Sequence, residues 1–349
     1  MSEQIKVGVI GAGANTRLHH IPKLQAQDAV EIVGVCNRSR ASSDAVAKEF
    51  GISKTYAHWR EVIADPDTNA IVIGTWPYLH APATIAALEA GKHVMTEARM
   101  ACDAAEAHAM RDAAQRRPDL VAQVVPAPFS LGVDRTVQRL LSEGYIGELL
   151  FIEHTAPSPF LDRAAPLHWR RDRDVSGLNI AMLGIVYEMI LRWVGEAVLV
   201  TAMTKTFVNQ SRDADGIVRA VSVPDHVDVL ADVACGAQLH IQQSATTPFK
   251  EGGGTWLYGA EGVLRFHDGA LTGARKGEDL LKPLPVPEEE KGGWRVEEEF
   301  VGAIRKTEII QHTTFEAGVK YMEFVEAVSR SAAQGRAVPL PLALDAGRA

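Results

Sequence analysis

A glycine turn near the N-terminus is the first feature of this sequence that could bind a ligand. Residues 5–10 form a short, β-branched apolar run, and the segment GAGAN at 11–15 follows it directly. Gly11 would allow a tight turn, and Gly13 would let the backbone approach a pyrophosphate at the N-terminus of the next helix. The usual third glycine is absent, since position 16 is Thr16, and the alternative interpretation is a tight turn without a ligand. The residues that the motif assigns to a dinucleotide site are Gly11, Gly13, Ala14 and Asn15.

The end of the second apolar run indicates which dinucleotide is preferred. Asn37 stands where a site selective for NAD usually carries an acidic residue, which binds the ribose 2′-hydroxyl and repels a 2′-phosphate. Arg38 and Arg40 could form charge-assisted hydrogen bonds to such a phosphate. We therefore expect NADP in preference to NAD. The alternative is that both arginines are solvated residues at the start of a helix.

The elements that must position these residues alternate along the first part of the chain. Apolar, strand-like runs separated by helical stretches lie at 5–10, 31–36, 70–74, 92–95 and 120–125. This alternation predicts βαβ units and a parallel sheet. Pro126 and Pro128 end the pattern, and the long alternating runs after them predict an antiparallel or mixed sheet with one buried face. We therefore expect a dinucleotide-binding domain at 1–125 and a second α/β domain, for substrate binding and oligomerisation, at 126–349.

Length, charge and cysteine content exclude several classes of protein. The chain has 349 residues, of which 46% are hydrophobic, and a net charge of −8, which fits two globular domains. It shows no basic stripe for nucleic acid, no apolar run near the roughly 18 residues of a membrane span, and no signal-like start. Its three cysteines form no CxxC pair, which fits a reducing cytoplasm and argues against a cysteine-bound metal. We therefore expect a soluble cytoplasmic protein without a metal, a membrane or a nucleic-acid partner.

Several short stretches together resemble one enzyme family. They are T-x-P-x-x-H at 75–80, AGKHV at 90–94, GYIGEL at 144–149 and WLYGAEG at 256–262. Over nearly the whole chain the sequence is similar to the Gfo/Idh/MocA family, which includes glucose–fructose oxidoreductase and inositol dehydrogenase. The resemblance implies an α/β fold with an N-terminal Rossmann domain, built on a doubly wound parallel sheet, and a C-terminal α/β domain with a large, mostly antiparallel open sheet. That sheet often forms an oligomer interface in the family, so we expect a homo-oligomer, either a dimer or a tetramer.

The same resemblance adds residues to the cofactor site. The T-x-P-x-x-H stretch and the segment after AGKHV belong to it, and Trp169-Arg170 matches a family stretch close to both cofactor and substrate. The residues added in this way are Thr75, Trp76, His80, Glu97, Trp169 and Arg170. A small-molecule substrate and a cofactor, NADP or NAD, are therefore expected.

The sequence departs from the family where the resemblance places catalytic residues. Ala98 stands at the position of the family's lysine, and Met182 and Val186 stand at the positions of its aspartate and histidine. These two residues and Met189 are spaced by four and three, so they share one helix face, which is apolar. Because none of these side chains can accept a proton, we expect standard polyol oxidation to be very slow or absent. The alternative is that the three helix residues form an ordinary core stripe.

The candidate catalytic residues are polar side chains near this helix in the sequence. His168 and Arg170 lie in the loop before it, and an arginine suits bidentate binding of a carboxylate or phosphate. Tyr187 is one position from the apolar face and could act as an acid. His154, at a strand end, and Arg99, next to Ala98, are further polar candidates. If hydride transfer survives, we expect reduction of a carbonyl, since Arg99, Arg170 or Tyr187 could stabilise the developing oxyanion.

Three functions fit these observations. The first is an NAD(P)-dependent oxidoreductase of the Gfo/Idh/MocA type that acts on a sugar-like or cyclic hydroxy or keto compound with non-standard catalytic residues. The second is a non-redox lyase or hydrolase that retains a bound cofactor. The third is a sensor that binds the cofactor without catalysis. Cofactor consumption distinguishes the first from the other two, because a sensor would keep the same dinucleotide motif.

Overall fold

The described chain forms two compact units. The computed structural model describes residues 4–249 and 253–343. The first unit contains residues 4–126 and 295–319, and the second contains the described residues of 127–294 and 320–343. The outer ends of the two predicted domains, 1–3 and 344–349, lie outside the described residues.

The first unit is built on a parallel sheet. Among its described residues the sheet has six strands, paired in the order β3-β2-β1-β4-β5-β6 and all parallel. The strands are β1 (Ile5–Ile10), β2 (Val30–Cys36), β3 (Lys54–Thr55), β4 (Ala70–Ile73), β5 (His93–Thr96) and β6 (Ala122–Val124). This is the doubly wound strand order of the Rossmann fold, with its switch point between β1 and β4. The predicted fold of this part of the chain is confirmed.

Helices connect these strands and leave the central ones buried. They are α1 (Ile21–Gln25), α2 (Arg40–Phe50), α3 (Trp59–Ala64), α4 (His80–Glu89) and α5 (Ala104–Gln115), with a π-helical turn at Thr16–His20 and a 3-10 turn at Pro77–Leu79. All four residues of β4 are buried, as expected of a central parallel strand covered on both faces. The start of α2 is fixed by Ser39, whose side chain accepts a hydrogen bond from the Ser42 N–H. Its end is fixed by Gly51, whose left-handed conformation closes the helix.

The second unit is built on a large, mostly antiparallel sheet. Among its described residues this sheet has nine strands, in the order β16-β15-β14-β13-β7-β12-β11-β8-β17, and the pair β7 and β12 is parallel. The strands of this unit, including the separate pair β9 and β10, are β7 (Leu149–Thr155), β8 (Ala197–Lys205), β9 (Gln210–Arg212), β10 (Val218–Ala220), β11 (His226–Val233), β12 (Gln238–Ser244), β13 (Gly254–Gly259), β14 (Gly262–His267), β15 (Ala270–Arg275), β16 (Lys282–Pro283) and β17 (Val338–Pro339). The predicted C-terminal sheet is therefore confirmed.

One face of this sheet is buried and the other is open. Along β11, Val227 and Val229 are buried, whereas Leu230 between two buried residues is exposed. The helices of this unit are α6 (Asp134–Ser142), α7 (Arg173–Ser176), α8 (Leu183–Val194) and the greater part of α10 (Phe315–Gln334), from residue 320 onward, with 3-10 turns at Trp169–Arg171 and Glu288–Glu290. No helix among the described residues is long and apolar enough to cross a membrane.

The chain returns to the first unit near its end, which the sequence interpretation did not anticipate. The prediction assigned all of 126–349 to the second domain, whereas residues 295–319, with α9 (Val296–Ile304), belong to the first unit. The reason is backbone pairing at the sheet edge: Val124 and Thr313 exchange two N–H···O hydrogen bonds, each 3.0 Å long. Glu299 adds to this junction by accepting hydrogen bonds from the Gln123 amide and the His312 N–H.

Candidate cofactor cleft and substrate cavity

A cleft of about 410 Å³ opens at the carboxyl ends of the strands in the first unit. It lies at the switch point between β1 and β4, the place where open α/β sheets bind their ligands. Of the residues predicted from the sequence, those that line it are Gly11, Gly13, Asn37, Arg38, Thr75 and Trp76. The structure therefore places the glycine turn, the residues after β2 and the start of the T-x-P-x-x-H stretch in one cleft.

The two glycines of the turn are required for different reasons. Gly11 has φ +84°, and a Cβ there would lie 2.8 Å from the Thr75 nitrogen, so the protein's own backbone requires a glycine. Gly13 is exposed, and within the described structure a Cβ there would meet the Gly74 carbonyl oxygen at 3.5 Å, which is ordinary contact. The described protein atoms therefore do not themselves require a glycine at position 13, in contrast to position 11.

Thr16 occupies the place of the missing third glycine. Its side chain is buried, and its hydroxyl donates a 3.3 Å hydrogen bond to the Gly11 carbonyl. A Cβ at Gly74 would collide with this hydroxyl and with the Gly11 oxygen. The turn after β1 and the turn after β4 are therefore packed against each other, and the motif keeps its shape without the third glycine.

Asn37 holds the glycine turn and leaves the cleft without a carboxylate at this point. Its Oδ1 accepts a 2.7 Å hydrogen bond from the Ala12 N–H, and its Nδ2 donates to the Ser42 hydroxyl at 2.9 Å. The amide is neutral, so it has the shape of the usual acidic residue but does not repel a phosphate.

The two arginines after Asn37 are placed differently. Arg38 is exposed at the cleft, with its guanidinium carbon 5.5 Å from the centre of the Trp76 ring. Arg40 forms an exposed ion pair with Asp44, with Nε 3.0 Å from Oδ1, and is not among the described residues that line the cleft. The structure therefore offers Arg38, and not Arg40, to a ligand in the cleft.

His80, the first residue of α4, and Glu97, directly after β5, form buried polar contacts. His80 is fully buried, with Nδ1 2.8 Å from the Arg99 oxygen and Nε2 3.0 Å from the Thr75 oxygen, and burial lowers its pKa. Glu97 accepts hydrogen bonds from the Asn15 amide and from His20 Nε2, the latter 2.9 Å long. Although burial alone raises the pKa of Glu97, these hydrogen bonds hold it below its ordinary value. His80 therefore holds together the segments that follow β4 and β5, and the Asn15 amide is hydrogen-bonded to Glu97.

His20 is a functional candidate that the sequence interpretation missed. Its imidazole is completely buried and also forms a hydrogen bond from Nδ1 to Glu297, in α9. Burial alone lowers the pKa of an imidazole, but the hydrogen bonds to Glu297 and Glu97 outweigh it and raise the pKa of His20 to about 9. The sequence offered one signal for His20, which is that it follows the glycine turn by only a few residues. It offered no signal for the contact with Glu297, which lies 277 residues away.

The segment after Glu97 carries no exposed base. Ala98 is half-buried, and its N–H donates to the Glu97 carboxylate at 3.2 Å. Arg99, which the sequence suggested as a fixed positive charge, is 2% exposed. The segment is thus held by buried contacts within the first unit.

A second cavity, of about 470 Å³, lies within the second unit. Met182, Val186 and Met189 all line it, so the apolar helix face predicted from the sequence is a cavity wall formed by α8 and the residue before it. The polar residues that line it are His154, Thr155, Gln243, Thr255, His267 and Asp268. Val186 and Met189 are also buried, so this helix face is both a wall of the cavity and part of the packed core.

His154 is the polar residue at the centre of the sheet side of this cavity. In the register of the sheet it lies opposite Thr255 of β13 and Ile241 of β12. Its Nδ1 is 2.8 Å from the Thr255 hydroxyl, and burial lowers its pKa to about 4. The imidazole is therefore neutral near pH 7 and can form a hydrogen bond with a ligand oxygen.

The three predicted catalytic residues are not among the described residues that line this cavity. Tyr187 is buried, stacks on Phe324 with ring centres 3.7 Å apart, and accepts a 2.8 Å hydrogen bond from the Ala197 N–H. Burial raises its pKa, and these contacts describe a packed core residue. His168 is exposed and accepts a 3.3 Å hydrogen bond from the Arg170 N–H, and the Arg170 guanidinium lies 4.4 Å from the Trp169 ring. The structure therefore gives each a local structural contact, and none of the three side chains joins Met182, Val186 and Met189 in the described cavity lining.

The parallel sheet, its strand order and the glycine-lined cleft define a nucleotide-binding Rossmann protein. Residues 5–124 match the model of an oxidoreductase family with an NAD-binding Rossmann fold, and residues 135–265 match the Gfo/Idh/MocA C-terminal domain. The chain belongs to the Gfo/Idh/MocA oxidoreductase family, as the resemblance of its motifs predicted.

Individual relatives agree with this assignment. Levoglucosan dehydrogenase from Pseudarthrobacter phenanthrenivorans is 26% identical over 294 residues, which cover 76% of this chain and 74% of that protein. The 1,5-anhydro-D-fructose reductase from Ensifer adhaerens is 30% identical over 178 residues, about half of each chain. A structure of levoglucosan dehydrogenase in complex with NADH and L-sorbose has a TM-score of 0.81 at 23% identity and covers 97% of this chain and 99% of that chain. This last likeness shows the fold.

Proposed function

We propose that this protein is an NAD(P)-dependent oxidoreductase that acts on a sugar-like or cyclic hydroxy or keto compound. The observation that carries the proposal is Gly13, an exposed glycine at the mouth of the cleft whose lack of a side chain is explained by a bound pyrophosphate. The relatives named for levoglucosan and for 1,5-anhydro-D-fructose support a cyclic, sugar-like substrate.

The chain's own residues would hold the dinucleotide in the cleft of the first unit. The turn at Gly11 and Gly13 would receive the pyrophosphate. Asn37 and Arg38, just after β2, would face the ribose, which binds at the end of this strand in such folds. When bound, the dinucleotide supplies the hydride donor or acceptor of the reaction. Ala14 remains a cofactor-site prediction from the glycine motif, and Trp169, Arg170 and His80 remain predictions from the family resemblance.

The cofactor preference that we propose is NADP. Arg38 lies at the cleft and stacks beside Trp76, and the neutral Asn37 adds no negative charge. The Arg38 guanidinium could therefore form a charge-assisted hydrogen bond with a 2′-phosphate, and the neutral Asn37 amide would not repel it.

The direction that we propose is reduction of a carbonyl, with the family's proton-transfer residues replaced at Ala98, Met182 and Val186. Alcohol oxidation requires a group that accepts the hydroxyl proton, and these side chains have none. His154, in the cavity wall formed with Met182 and Val186, has a pKa of about 4, which makes it a weak base. Reduction is less demanding, because hydride adds to the carbonyl carbon while hydrogen-bond donors stabilise the oxygen that gains negative charge, and this oxygen can then take its proton from solvent water.

Turnover assays test this function directly. Cofactor consumption with NADPH and NADH is measured against a panel of ketoses and cyclic ketones, and oxidation of myo-inositol and glucose is measured with NADP and NAD. We expect reduction of at least one ketone and very slow polyol oxidation. Polyol turnover near a typical enzymatic rate of roughly 10 per second would show that the missing proton acceptors have been replaced.

The apolar replacements also favour a second candidate, a protein that binds the cofactor without hydride transfer. This includes a sensor and a lyase or hydrolase that retains the dinucleotide. Cofactor that remains bound through size-exclusion chromatography, together with no consumption across the panel, would support this candidate over the first.

We further propose that the protein forms a homo-oligomer through the open face of the nine-stranded sheet and works in the cytoplasm. Exposed apolar residues on that face, Met203 and Leu230, support the first proposal. The second rests on cysteine chemistry: Cys36, Cys102 and Cys235 are all free thiols, which fits a reducing compartment.

A further inference from the structure

The cavity of the second unit has one wall that offers a ligand no strong hydrogen bond. Met182, Val186 and Met189 contribute thioether and methyl groups, and Phe266 lines the same cavity from the sheet. Val186 and Met189 are buried, so packing holds this wall in place. A ligand surface that rests on it gains apolar contact, but a hydroxyl there would lose its water without replacement.

The polar atoms of the cavity are concentrated on neighbouring strands of the sheet. His154 of β7, Gln243 of β12 and Thr255 of β13 all line it, and these strands are adjacent in the order β13-β7-β12. Nδ1 of His154 is engaged with the Thr255 hydroxyl, so within the described part of the chain Nε2 is the ring nitrogen left for a ligand. The Gln243 amide can both donate and accept.

Within the described lining of the cavity, the formal charge lies on an exposed side chain at the rim. Among the described residues that line the cavity, Asp268 is the one with a formal charge; its side chain is 89% exposed, and it lies 3.3 Å from His267 Nε2. The described lining of the cavity therefore offers no buried cation to a carboxylate or a phosphate, which favours a neutral ligand.

We propose that this cavity binds a neutral ring compound that carries one or two adjacent hydroxyl or keto oxygens at one edge, held by His154 and Gln243, and is apolar over the rest of the ring. The inference rests on the proposed function, in which this compound is the substrate. The volume of about 470 Å³ suits a small ring, since small-molecule sites measure roughly 300–1,000 Å³. A ring hydroxylated all round would bury hydroxyls against Met182 and Val186 at a cost of about tenfold in affinity for each unmatched hydroxyl.

A matched pair of ligands tests the proposal. trans-1,2-Cyclohexanediol and myo-inositol share a six-carbon ring and differ in carrying two or six hydroxyls. Binding of each to the full-length protein, saturated with NADP or NAD, is measured by titration calorimetry and by ligand-observed NMR. We expect the diol to bind at least tenfold more tightly; equal or tighter binding of myo-inositol, or no binding of either, overturns the proposal.

Variants of the two walls locate the binding. His154→Leu and Thr255→Val should weaken diol binding at least tenfold and several-fold respectively, whereas His240→Leu, on the opposite face of the same sheet, should leave it unchanged. Val186→Thr and Met182→Gln keep side-chain size but add hydrogen-bonding groups to the apolar wall, and they should improve myo-inositol binding relative to the diol. Variants are compared by circular dichroism and thermal melting, so that a folding defect is not taken for a lost contact. Wall variants that fold normally and leave both affinities unchanged overturn the proposal.

Binding and turnover separate this inference from the proposed function. A diol that binds as expected but is not oxidised, with cyclohexanone or 2-hydroxycyclohexanone not reduced, supports the ligand class and counts against hydride transfer. Reduction of ketoses or inositol-derived ketones in preference to the less hydroxylated ketones supports the function and overturns the ligand class.

Discussion

The described fold does not require a glycine at Gly13, and we propose that a bound dinucleotide does. Gly13 is exposed, and an added Cβ would meet the Gly74 oxygen at an ordinary 3.5 Å. We therefore expect Gly13→Ala to change the free energy of unfolding by less than about 0.5 kcal/mol, as for other surface substitutions. It should weaken dinucleotide binding about tenfold or more, because the methyl group occupies the space of the pyrophosphate. Thermal melting and titration calorimetry measure the two effects.

Gly11 is the matched control for this prediction. Its φ of +84° and the 2.8 Å approach to the Thr75 nitrogen make Gly11→Ala strained, with an expected loss of about 1–3 kcal/mol in stability. If Gly13→Ala destabilises the protein as much as Gly11→Ala and leaves cofactor affinity intact, the glycine serves the fold and the argument for the cleft loses its main support.

Arg38 and Arg40 offer a second matched pair. Arg38→Ala should reduce NADPH affinity about tenfold or more and leave NADH affinity nearly unchanged, because a lost charge-assisted hydrogen bond affects the 2′-phosphate alone. Arg40→Ala should affect neither, since Arg40 is paired with Asp44 and does not line the described cleft. Fluorescence titrations with both dinucleotides measure this. Tighter binding of NADH by the unaltered protein would contradict the proposed preference.

At the scale of elements, His20 joins three parts of the first unit that are far apart in sequence. It lies in the π-helical turn after the glycine segment and contacts Glu97, after β5, and Glu297, in α9. Asn15 completes the cluster through its hydrogen bond to Glu97. An imidazolium between two buried carboxylates stabilises this arrangement as long as it keeps both protons.

This cluster predicts the pH dependence of stability. The pKa of His20 is raised from 6.5 to about 9 in the folded protein, so its contribution is fully present below about pH 6.5 and is lost as the pH rises through about 9. Melting temperatures between pH 6 and 10 should fall at the alkaline end. His20→Gln should lower the melting temperature at pH 6 and flatten this alkaline decrease, because it removes the proton that is lost.

The neighbouring His19→Gln serves as the control, since His19 is partly exposed, whereas His20 is completely buried. It should retain the alkaline decrease of the unaltered protein. An identical alkaline decrease in His20→Gln would show that another group is responsible.

For the whole molecule, the open face of the nine-stranded sheet carries neighbouring exposed apolar residues that are suited to self-association. Met203 and Leu230 are 77% and 57% exposed, and they lie on neighbouring strands, since β8 pairs with β11. Exposed apolar residues grouped on one sheet face are typical of protein interfaces.

We expect the unaltered protein to be a dimer or a tetramer, and Met203→Glu with Leu230→Glu to shift it towards monomer. The added carboxylates would have to lose water at the interface, which is unfavourable. Sedimentation velocity measures the change, and Ile309→Glu, an exposed apolar site in the first unit, is the control. A monomeric unaltered protein would contradict the proposed oligomer.

The amino-acid sequence determined the local elements and the first turn. The apolar runs at 5–10 and 31–36 predicted two strands, and the structure has β1 at Ile5–Ile10 and β2 at Val30–Cys36. These elements follow from residue spacing alone, as does the Gly11 turn, because each depends on neighbours within a few residues. Membership of the family could also be predicted, because its motifs are short and continuous.

Only the tertiary structure decided which distant residues meet. It paired His20 with Glu297, brought 295–319 into the first unit, and placed His154 in a cavity with Val186. It also gave Tyr187, one position along α8 from that wall, a packed position against Phe324. The reason is that a helix or strand repeat specifies which side chains share a face, whereas the partner of that face is set by packing among elements far apart in the chain.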